Sequence, residues 1–413
     1  MTRQNTKKKA LSLGGGLLPA AKLHVFSHSD ALVKTAETLA EDWRYGRVTY
    51  AAQDAGLEEA ATHYASHKSP DLLIIQVDKI DNGLTAQLEA LAAVCEPHTD
   101  CLLVGPVNDV QLYRKLTEMG VSDYLVAPVS AEDMHMAITR VLLKKKGQED
   151  SRLLTFIGSK GGVGASTLAH LTAENLAASG QKTVLVDCAG GWTDFPVALG
   201  FEPVDSLHAL VKAAISKDTD AIDRLVIELT DRLYVAATGA QKLLNGAIDE
   251  AHFEALLDYL LAHFPHVVLD LSGAPEPIKT LCVKRASEIG LVSDASLTAL
   301  RVARTLRSEV KELRGGDMDA FRLIINKQGL NKAQEANLKE ISEGVGQKPD
   351  IILPYSGKAF AARDMNAKPL SLHPEMTDAV KAIKALFLNG EVADASERKA
   401  GGIWAKLGLG AQA

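Results

Sequence analysis

A short apolar segment that leads into a glycine-rich loop and then into an amphipathic segment constrains the fold of this chain most strongly. Residues 153–157 are apolar and β-prone, which predicts a buried strand. After the loop, leucines recur at helical spacing until Gly180, which predicts a helix. Because glycines let backbone N–H groups converge at the positive end of a helix, the arrangement predicts a phosphate-binding site. The loop residues are Lys160, Gly161, Gly162, Val163, Gly164, Ala165, Ser166 and Thr167.

The loop lacks one residue that phosphate-binding loops of this kind carry. A lysine normally follows the last glycine, and this position is Ala165. Ser166 stands where the loop hydroxyl reaches Mg²⁺, and Thr167 is placed to touch a phosphate oxygen. A charge-assisted hydrogen bond contributes about 1.5–3 kcal/mol, so its loss weakens phosphate binding by roughly tenfold to a hundredfold. We expect a phosphate-bearing ligand and Mg²⁺ to bind; a glycine-rich turn without a ligand is the alternative.

The loop, with a lysine placed early as Lys160, resembles the deviant phosphate-binding loop of the ParA/MinD family of dimeric ATPases. The resemblance implies a homodimer in which Lys160 reaches across to the partner's nucleotide. Loss of the second lysine, which leaves Ala165, is similar to the pilus-assembly branch of that family called CpaE or TadZ.

Two acidic residues end predicted strands and match catalytic positions of the family. The resemblance places Asp187 near the metal, although the family's second aspartate, two residues later, is Ala189 here. Asp194 is near enough in sequence to substitute. Asp270 closes the apolar run 267–269 and resembles the aspartate that holds a Mg²⁺-bound water; a strand-end aspartate that caps the next turn is the alternative. The resemblance thus implies a weakened catalytic pair, Asp187 and Asp270, and Mg²⁺ held by Ser166 and, indirectly, by Asp270.

The distal half of the chain carries further matches to this family. Asn326 follows the apolar run 323–325 and resembles the asparagine that hydrogen-bonds adenine. Pro354 belongs to a segment similar to the loop packed near the base. Residues 291–297 resemble the stretch that follows a central strand and begins an interface helix.

Length and patterning predict an α/β protein of two domains. The chain has 413 residues, of which 46% are hydrophobic, which is ample for two cores. In residues 22–143, apolar runs alternate with helical patterns, which predicts parallel strands with crossover helices. Residues 144–151 are polar and read as a linker. Residues 152–390 predict a doubly wound P-loop NTPase domain, with strands at 153–157, 183–186, 233–236, 267–269, 290–292, 323–325 and 351–353.

The first domain resembles a flavodoxin-like response-regulator receiver that has lost its active-site chemistry. Residues 27–29 read Ser-His-Ser where a receiver carries an acidic pair for Mg²⁺. The phosphoacceptor position is Gln76, and the lysine position is Ala127. Asp78 lies beyond the expected strand end. We therefore interpret this degenerate domain as a docking module that takes no phosphoryl group.

The sequence predicts a tail at each end of the chain. Residues 1–21 contain three consecutive lysines and three consecutive glycines and predict a flexible basic tail. No apolar run approaches the roughly 20 residues that span a bilayer. The C-terminal tail, 391–413, combines apolar and basic residues that would allow reversible contact with a membrane surface, whereas its glycines and short length favour a tail without fixed structure. Those residues are Lys399, Ile403, Trp404, Lys406, Leu407 and Leu409.

The net charge and the cysteine spacing argue against nucleic-acid binding, disulfides and a metal site. A net charge of −7 gives no electrostatic reason to expect nucleic acid as a partner. Without a CxxC pair, the cysteines predict buried, reduced thiols in a cytoplasmic protein. These are Cys95, Cys101, Cys188 and Cys282. The spacing of His24, His28 and His63 fits no metal motif.

Taken with the family resemblance, these features predict an ATP-binding protein that assembles or positions a Flp-type pilus or a related secretion machine. It would act as a nucleotide-stabilised homodimer that docks onto components of that machine, in the cytoplasm, at a cell pole or at the inner membrane. A scaffold that binds no nucleotide and a ParA-like ATPase that partitions chromosomes or plasmids are the alternatives.

Overall fold

A computed structural model describes residues 15–81, 83–189, 193–202, 205–236, 248–359 and 369–388. These residues belong to two units that divide after Asp150. The predicted C-terminal tail, 391–413, lies outside the described residues, as does the basic part of the N-terminal tail. Among the helices that the structure describes, none combines the length and the apolar character needed to cross a bilayer.

The first unit is a five-stranded parallel sheet in the flavodoxin-like order β2-β1-β3-β4-β5. Strand β2 was not predicted, because its side chains alternate between half-buried and exposed and form no apolar run. The strands are β1 (Ala21–Phe26), β2 (Val48–Gln53), β3 (Leu72–Gln76), β4 (Asp100–Gly105) and β5 (Asp123–Val126). The helices are α1 (Asp30–Ala40), α2 (Leu57–Tyr64), α3 (Leu84–Val94), α4 (Val110–Glu118) and α5 (Ala131–Lys145).

Ordered structure in this unit extends beyond the boundaries expected from the sequence. Leu18, placed in the predicted tail 1–21, is buried, and its N–H donates to the carbonyl of Arg44 at 2.8 Å. At the other end, α5 continues to Lys145 and so includes the first residues of the predicted linker. The side chain of Ser130 accepts from the N–H of Asp133 and caps the start of α5, as expected for a serine at that position.

The second unit is an eight-stranded sheet in the order β13-β12-β11-β6-β10-β7-β9-β8, parallel except for the edge strand β8. The strands are β6 (Arg152–Gly158), β7 (Thr183–Asp187), β8 (Ile227–Thr230), β9 (Leu233–Ala236), β10 (His266–Asp270), β11 (Glu288–Ser293), β12 (Phe321–Gln328) and β13 (Ile351–Pro354). The helices are α6 (Ala165–Ala178), α7 (Phe195–Leu199), α8 (Leu207–Ser216), α9 (Thr219–Leu225), α10 (Glu250–His263), α11 (Glu276–Arg285), α12 (Leu297–Leu313), α13 (Leu338–Val345) and α14 (Thr377–Ile383).

Both faces of this sheet are buried, and successive residues of one strand enter different cores. In β6, Leu153 and Ile157 pack with α10 and α11 residues, whereas Leu154 and Phe156 pack with α6 and α14 residues. A strand covered on both faces is a continuous apolar run, which is why the sequence predicted these strands. The α/β class with parallel sheets is confirmed.

The strand order places the glycine-rich loop at the centre of the sheet. Strand β6 lies between β10 and β11, and the chain winds outward from it in both directions. Ligands of doubly wound sheets bind at the carboxyl ends of the strands, where the winding direction reverses. The loop that follows β6 occupies this position.

Candidate nucleotide-binding site

The loop between β6 and α6 presents an open backbone surface. Gly164 precedes α6 with φ +95°, and Gly162 has φ +77°, a region that favours glycine. A Cβ atom built on Gly161 or Gly162 meets no atom within 4 Å. Because α6 begins at Ala165, its first N–H groups lack helical partners and the positive end of its dipole faces the loop. The loop therefore fits an anion such as the phosphates of a nucleotide.

We expect Gly164→Ala to destabilise the second unit by roughly 2 kcal/mol, because of the left-handed backbone and a clash. The added Cβ would lie closer to the side-chain nitrogen of Asn326 than Cβ atoms approach in proteins. Gly161→Ala is the matched control, since its Cβ enters open space. Urea unfolding followed by tryptophan fluorescence measures both variants, and equal stabilities would contradict the assigned loop conformation.

Oxygen ligands for a metal ion lie on one side of the loop. The hydroxyl of Ser166 donates to that of Ser272 at 3.4 Å, and Ser272 in turn donates to the carboxylate of Asp270 at 2.6 Å. Asp270 is 3% exposed, and burial raises the pKa of its carboxyl, although hydrogen bonds from Ser166 and Ser272 oppose the shift. Mg²⁺ prefers one or two protein oxygens together with phosphates and water, so Ser166 and Asp270 fit it. The part of the chain that the structure describes has no cluster of three metal-binding side chains.

The raised pKa of Asp270 predicts a pH-dependent stability difference between wild type and Asp270→Asn. An acid with a raised pKa in the fold adds stability below its ordinary value of 3.8, and that stability is lost as pH rises through the raised pKa. Without nucleotide, Asp270→Asn should therefore be more stable than wild type at neutral pH, and the gain should shrink as pH falls toward the ordinary pKa. Urea unfolding across this pH range tests the expectation. A variant that is less stable at every pH would show that the fold itself needs the carboxylate.

Asp187 lies beside Asp270, because β7 and β10 pair with these two residues in register. Asp187 is buried, accepts from the N–H of Ala189 at 3.0 Å and also accepts from the hydroxyl of Thr193. The negative charge of Asp194 contributes to raising the pKa of Asp270, so the two carboxylates are near enough to interact. Ala189 stands where the resemblance described above expects a second aspartate, and its methyl group supplies no carboxylate.

Lys160 lies on the other side of the loop, where it pairs with an acid of its own chain. Its ammonium is 2.9 Å from the carboxylate of Asp294, which follows β11. Asp294 also accepts from the N–H of Ser296 at 3.0 Å, and hydrogen bonds from Ser296 and Lys160 lower the pKa of its carboxyl against the opposing effect of burial. Lys160 is 40% exposed at its side chain, so the pair opens to solvent.

Strand β12 contacts the loop directly. The amide nitrogen of Asn326 donates to the carbonyl of Val163 at 2.9 Å, which leaves the amide oxygen as the remaining acceptor. The ammonium of Lys327 donates to the carbonyl of Gly162 at 2.6 Å. Pro354 ends β13 and lies opposite Gln328 in the strand register, so both predicted base-binding residues belong to neighbouring strand ends.

Four residues of the site were not predicted from the sequence. Asp294 follows a predicted strand, as Asp270 does, so the same strand-end argument would have found it. Thr193, Ser272 and Lys327 carry no local pattern, and only the fold brings them to the loop or to its acidic residues.

The carboxyl end of the first sheet brings Ser27 and Gln76 together. The Ser27 hydroxyl donates to the Gln76 side-chain oxygen at 2.7 Å, at the ends of β1 and β3. His28 lies beside Asp54 at 2.8 Å, and the hydrogen bond between them raises the pKa of the histidine. Asp78 is exposed beyond the end of β3. Ser27 and Gln76, the positions compared in the sequence with the acidic pair and the phosphoacceptor of a receiver, thus form a neutral hydrogen-bonded pair.

His24 and the four cysteines contribute to packing. His24 contacts the Tyr64 hydroxyl at 2.6 Å within an aromatic cluster, and burial lowers the pKa of His24 to about 4. All four cysteines are free thiols, of which Cys188 and Cys282 are buried and Cys95 and Cys101 are half-buried.

Comparisons with known proteins bear on the fold of the chain. No protein-family model matches the chain. The septum site-determining protein MinD of Synechocystis is 26% identical over 181 residues, which is 43% of this chain and 65% of that relative. The crystal structure of a ParA family ATPase from Chlorobium tepidum is 19% identical and covers 58% of this chain and 99% of its own, with a TM-score of 0.52. That of a CpaE2 pilus assembly protein from Sinorhizobium meliloti is 37% identical over 29% of this chain and 98% of its own, with a TM-score of 0.29.

The ParA match, at this level of identity, shows a shared fold. The chain therefore contains the α/β fold of the ParA/MinD P-loop ATPases.

Proposed function

We propose that this protein binds Mg·ATP in the loop after β6 and uses it to stabilise a homodimer, with little or no hydrolysis. The observation that carries the proposal is the open, exposed backbone of Gly161 and Gly162, flanked by Ser166 and Asp270. These groups supply backbone donors for phosphates and oxygens for Mg²⁺. The bound nucleotide adds negative charge and a metal ion at the place where two copies would meet.

Slow hydrolysis is supported by two positions, Ala165 and Ala189, whose side chains carry no charge. Ala165 is almost fully buried at the start of α6 and places no cation near the phosphates, and Ala189 places no carboxylate near an attacking water. Stabilisation of developing charge is the largest contribution to most phosphoryl transfers. Asp194 interacts electrostatically with Asp270, and we propose that it takes over part of this role.

Two observations support a role of Lys160 in the dimer: its side chain is partly exposed, and it pairs with Asp294 of its own chain. Its ammonium is bound to Asp294 in the single chain, so dimerisation would exchange an acid of the same chain for the partner's phosphates. A shared nucleotide contributes binding free energy only to the associated state, so ATP shifts monomer toward dimer.

The first unit, which we interpret as a receiver-like docking module, would connect this switch to a pilus or secretion machine. Support comes from its flavodoxin-like strand order and from the neutral Ser27 and Gln76 at the sheet end. The substitution at Ala165 is similar to the CpaE/TadZ branch. We place the protein in the cytoplasm, at a cell pole or in peripheral contact with the inner membrane.

Calorimetric titration of the purified chain with Mg·ATP tests the proposal. We expect saturable binding that weakens when Mg²⁺ is removed. Absence of heat at millimolar ATP, in protein whose circular dichroism shows it to be folded, would overturn the proposal and favour the nucleotide-free scaffold.

A further inference from the structure

The first unit carries a groove of about 300 Å³ between β5 and α5. Most of its lining is apolar, and charged side chains border it on the α5 side, where Asp133 and Arg140 lie. The apolar lining residues are Leu125, Val126, Val129, Met136 and Ala137. An exposed apolar surface bordered by polar residues is typical of a contact between proteins. The groove is therefore a candidate interaction surface.

The apolar surface continues from the groove onto α4. Val110 is 67% exposed and Tyr113 is 40% exposed, and residues three apart lie on one side of a helix. The hydroxyl of Tyr113 donates to the carboxylate of Asp123 at 3.3 Å, and Asp123 also lines the groove. Helix α4, strand β5 and helix α5 thus form one surface, which we call the groove face. It includes Val110, Tyr113, Val126, Asp133, Met136 and Arg140.

The side chain of Tyr124 fixes the loop between β4 and α4 beside this face. Its hydroxyl donates to the Val107 carbonyl at 2.8 Å and accepts from the Val107 N–H at 3.2 Å. The buried ring lies against Gly105, where an added Cβ would be 2.7 Å from the hydroxyl oxygen. Both backbone groups of one loop residue are thus held by one side chain. We therefore expect the groove face to be formed in the single chain without a ligand.

Two charges on the groove face have capacity for a partner. Arg140 donates to Asp123 at 3.1 Å, but its side chain is 54% exposed, and a guanidinium has five N–H donors. Asp133 accepts from the hydroxyl of Ser130 at 2.7 Å, and within the described ranges it forms no ion pair. A partner that fits this face should therefore place an acid beside Arg140 and a base beside Asp133.

The spacing of these two charges makes the face complementary to itself. Asp133 and Arg140 are seven residues apart on α5, which places them on one side of the helix, about 10 Å apart along its axis. Met136 and Ala137 lie midway between them. If a second α5 runs antiparallel and is related by a twofold axis, each Arg140 meets the Asp133 of the other copy. The apolar residues of both copies then meet at the axis.

We propose that the groove face binds a second copy of this chain, with the two α5 helices antiparallel and Asp133 of each copy beside Arg140 of the other. One sequence then supplies both charges that the face requires, and the apolar groove is covered in both copies at once. The contact needs no nucleotide. It goes beyond the Mg·ATP-dependent contact proposed for the second unit, and each contact can form without the other.

Sedimentation velocity of the full chain without nucleotide tests the proposal, at concentrations up to roughly 100 µM because a contact of this size is weak. We expect the wild type to self-associate. Met136→Glu should weaken the association at least about tenfold, since two carboxylates would meet at the axis. Wild type that remains monomeric at every concentration would overturn the proposal.

An exchange of charges tests the antiparallel arrangement. Asp133→Lys and Arg140→Glu should each associate at least about tenfold more weakly than wild type, because like charges then face each other twice. An equimolar mixture of the two variants should associate again, since the introduced lysine faces the introduced glutamate and the native Arg140 faces the native Asp133. A mixture that remains monomeric, although circular dichroism shows both variants to be folded, contradicts the proposal.

Two further variants control for charge and for folding. Glu89→Lys makes the same charge change as Asp133→Lys on α3, which packs into the other core of the first unit from α5, and it should associate as wild type does. Arg140→Gln keeps N–H donors for the buried Asp123 if Arg140→Glu fails to fold. It should associate more weakly than wild type, and unchanged association would rule out a role of this charge across the contact and so overturn the proposal.

A variant of the second unit separates this contact from the nucleotide-dependent one. Lys160→Ala should leave association without nucleotide unchanged, because Lys160 belongs to the second unit. Loss of that association in Lys160→Ala would place the contact in the second unit and overturn the proposal. Association of the wild type without nucleotide supports the proposal whether or not Mg·ATP binds.

Discussion

Lys160→Ala should abolish ATP-dependent dimerisation while leaving both units folded. Each copy of Lys160 would contact the partner's phosphates, and a charge-assisted contact contributes about 1.5–3 kcal/mol. With two such contacts in a symmetric dimer, the association constant in Mg·ATP should fall by at least about a hundredfold. Sedimentation velocity of wild type and variant, each with and without Mg·ATP, measures the change.

Asp294→Asn is the control for this experiment, because it frees Lys160 without removing it. The 2.9 Å pair is partly exposed, and such pairs contribute about 0–1 kcal/mol each, so with two pairs per dimer the association constant should rise by up to about thirtyfold. Asparagine keeps the oxygen that accepts from Ser296. If Lys160→Ala dimerises with ATP as wild type does, Lys160 has no role across the interface. If ATP does not change the association of the wild type, the proposed nucleotide-dependent dimerisation is wrong.

Ala165→Lys should raise the affinity for Mg·ATP by roughly tenfold to a hundredfold, because it restores one charge-assisted hydrogen bond to phosphate. Ala165 is the first residue of α6, and the direction of its Cβ is fixed by the helix start. Ala165→Met is the matched control, since it adds a side chain of similar length without charge. Calorimetry on folded protein decides between them. An equal gain in both variants, or no gain in the lysine variant, would contradict the assignment of this position.

The strands of the second sheet were predictable from the sequence, because a strand that is buried on both faces is a continuous apolar run. Leu153 to Ile157 alternate between two cores, so the whole strand is apolar. Strands β2 and β8 were missed because their side chains alternate between half-buried and exposed. An edge or half-covered strand needs fewer apolar residues than a central one, so composition does not distinguish it from a loop.

The site was predictable only where one short segment carries it. Ser166 and Asp270 follow from a loop motif and from a strand end, and the structure connects them through Ser272. The contact between Lys327 and Gly162 joins residues 165 positions apart. No local pattern encodes a contact of that separation, since it depends on β12 ending beside the loop.

The pairing of Lys160 with Asp294 also bears on the speed of assembly. Partly exposed side chains change rotamer within picoseconds to nanoseconds, which is far faster than two proteins meet in solution. The pair therefore does not limit the rate of association, because it opens and closes many times before a second copy arrives. We expect its removal in Asp294→Asn to slow dissociation of the dimer and to leave the rate of association nearly unchanged.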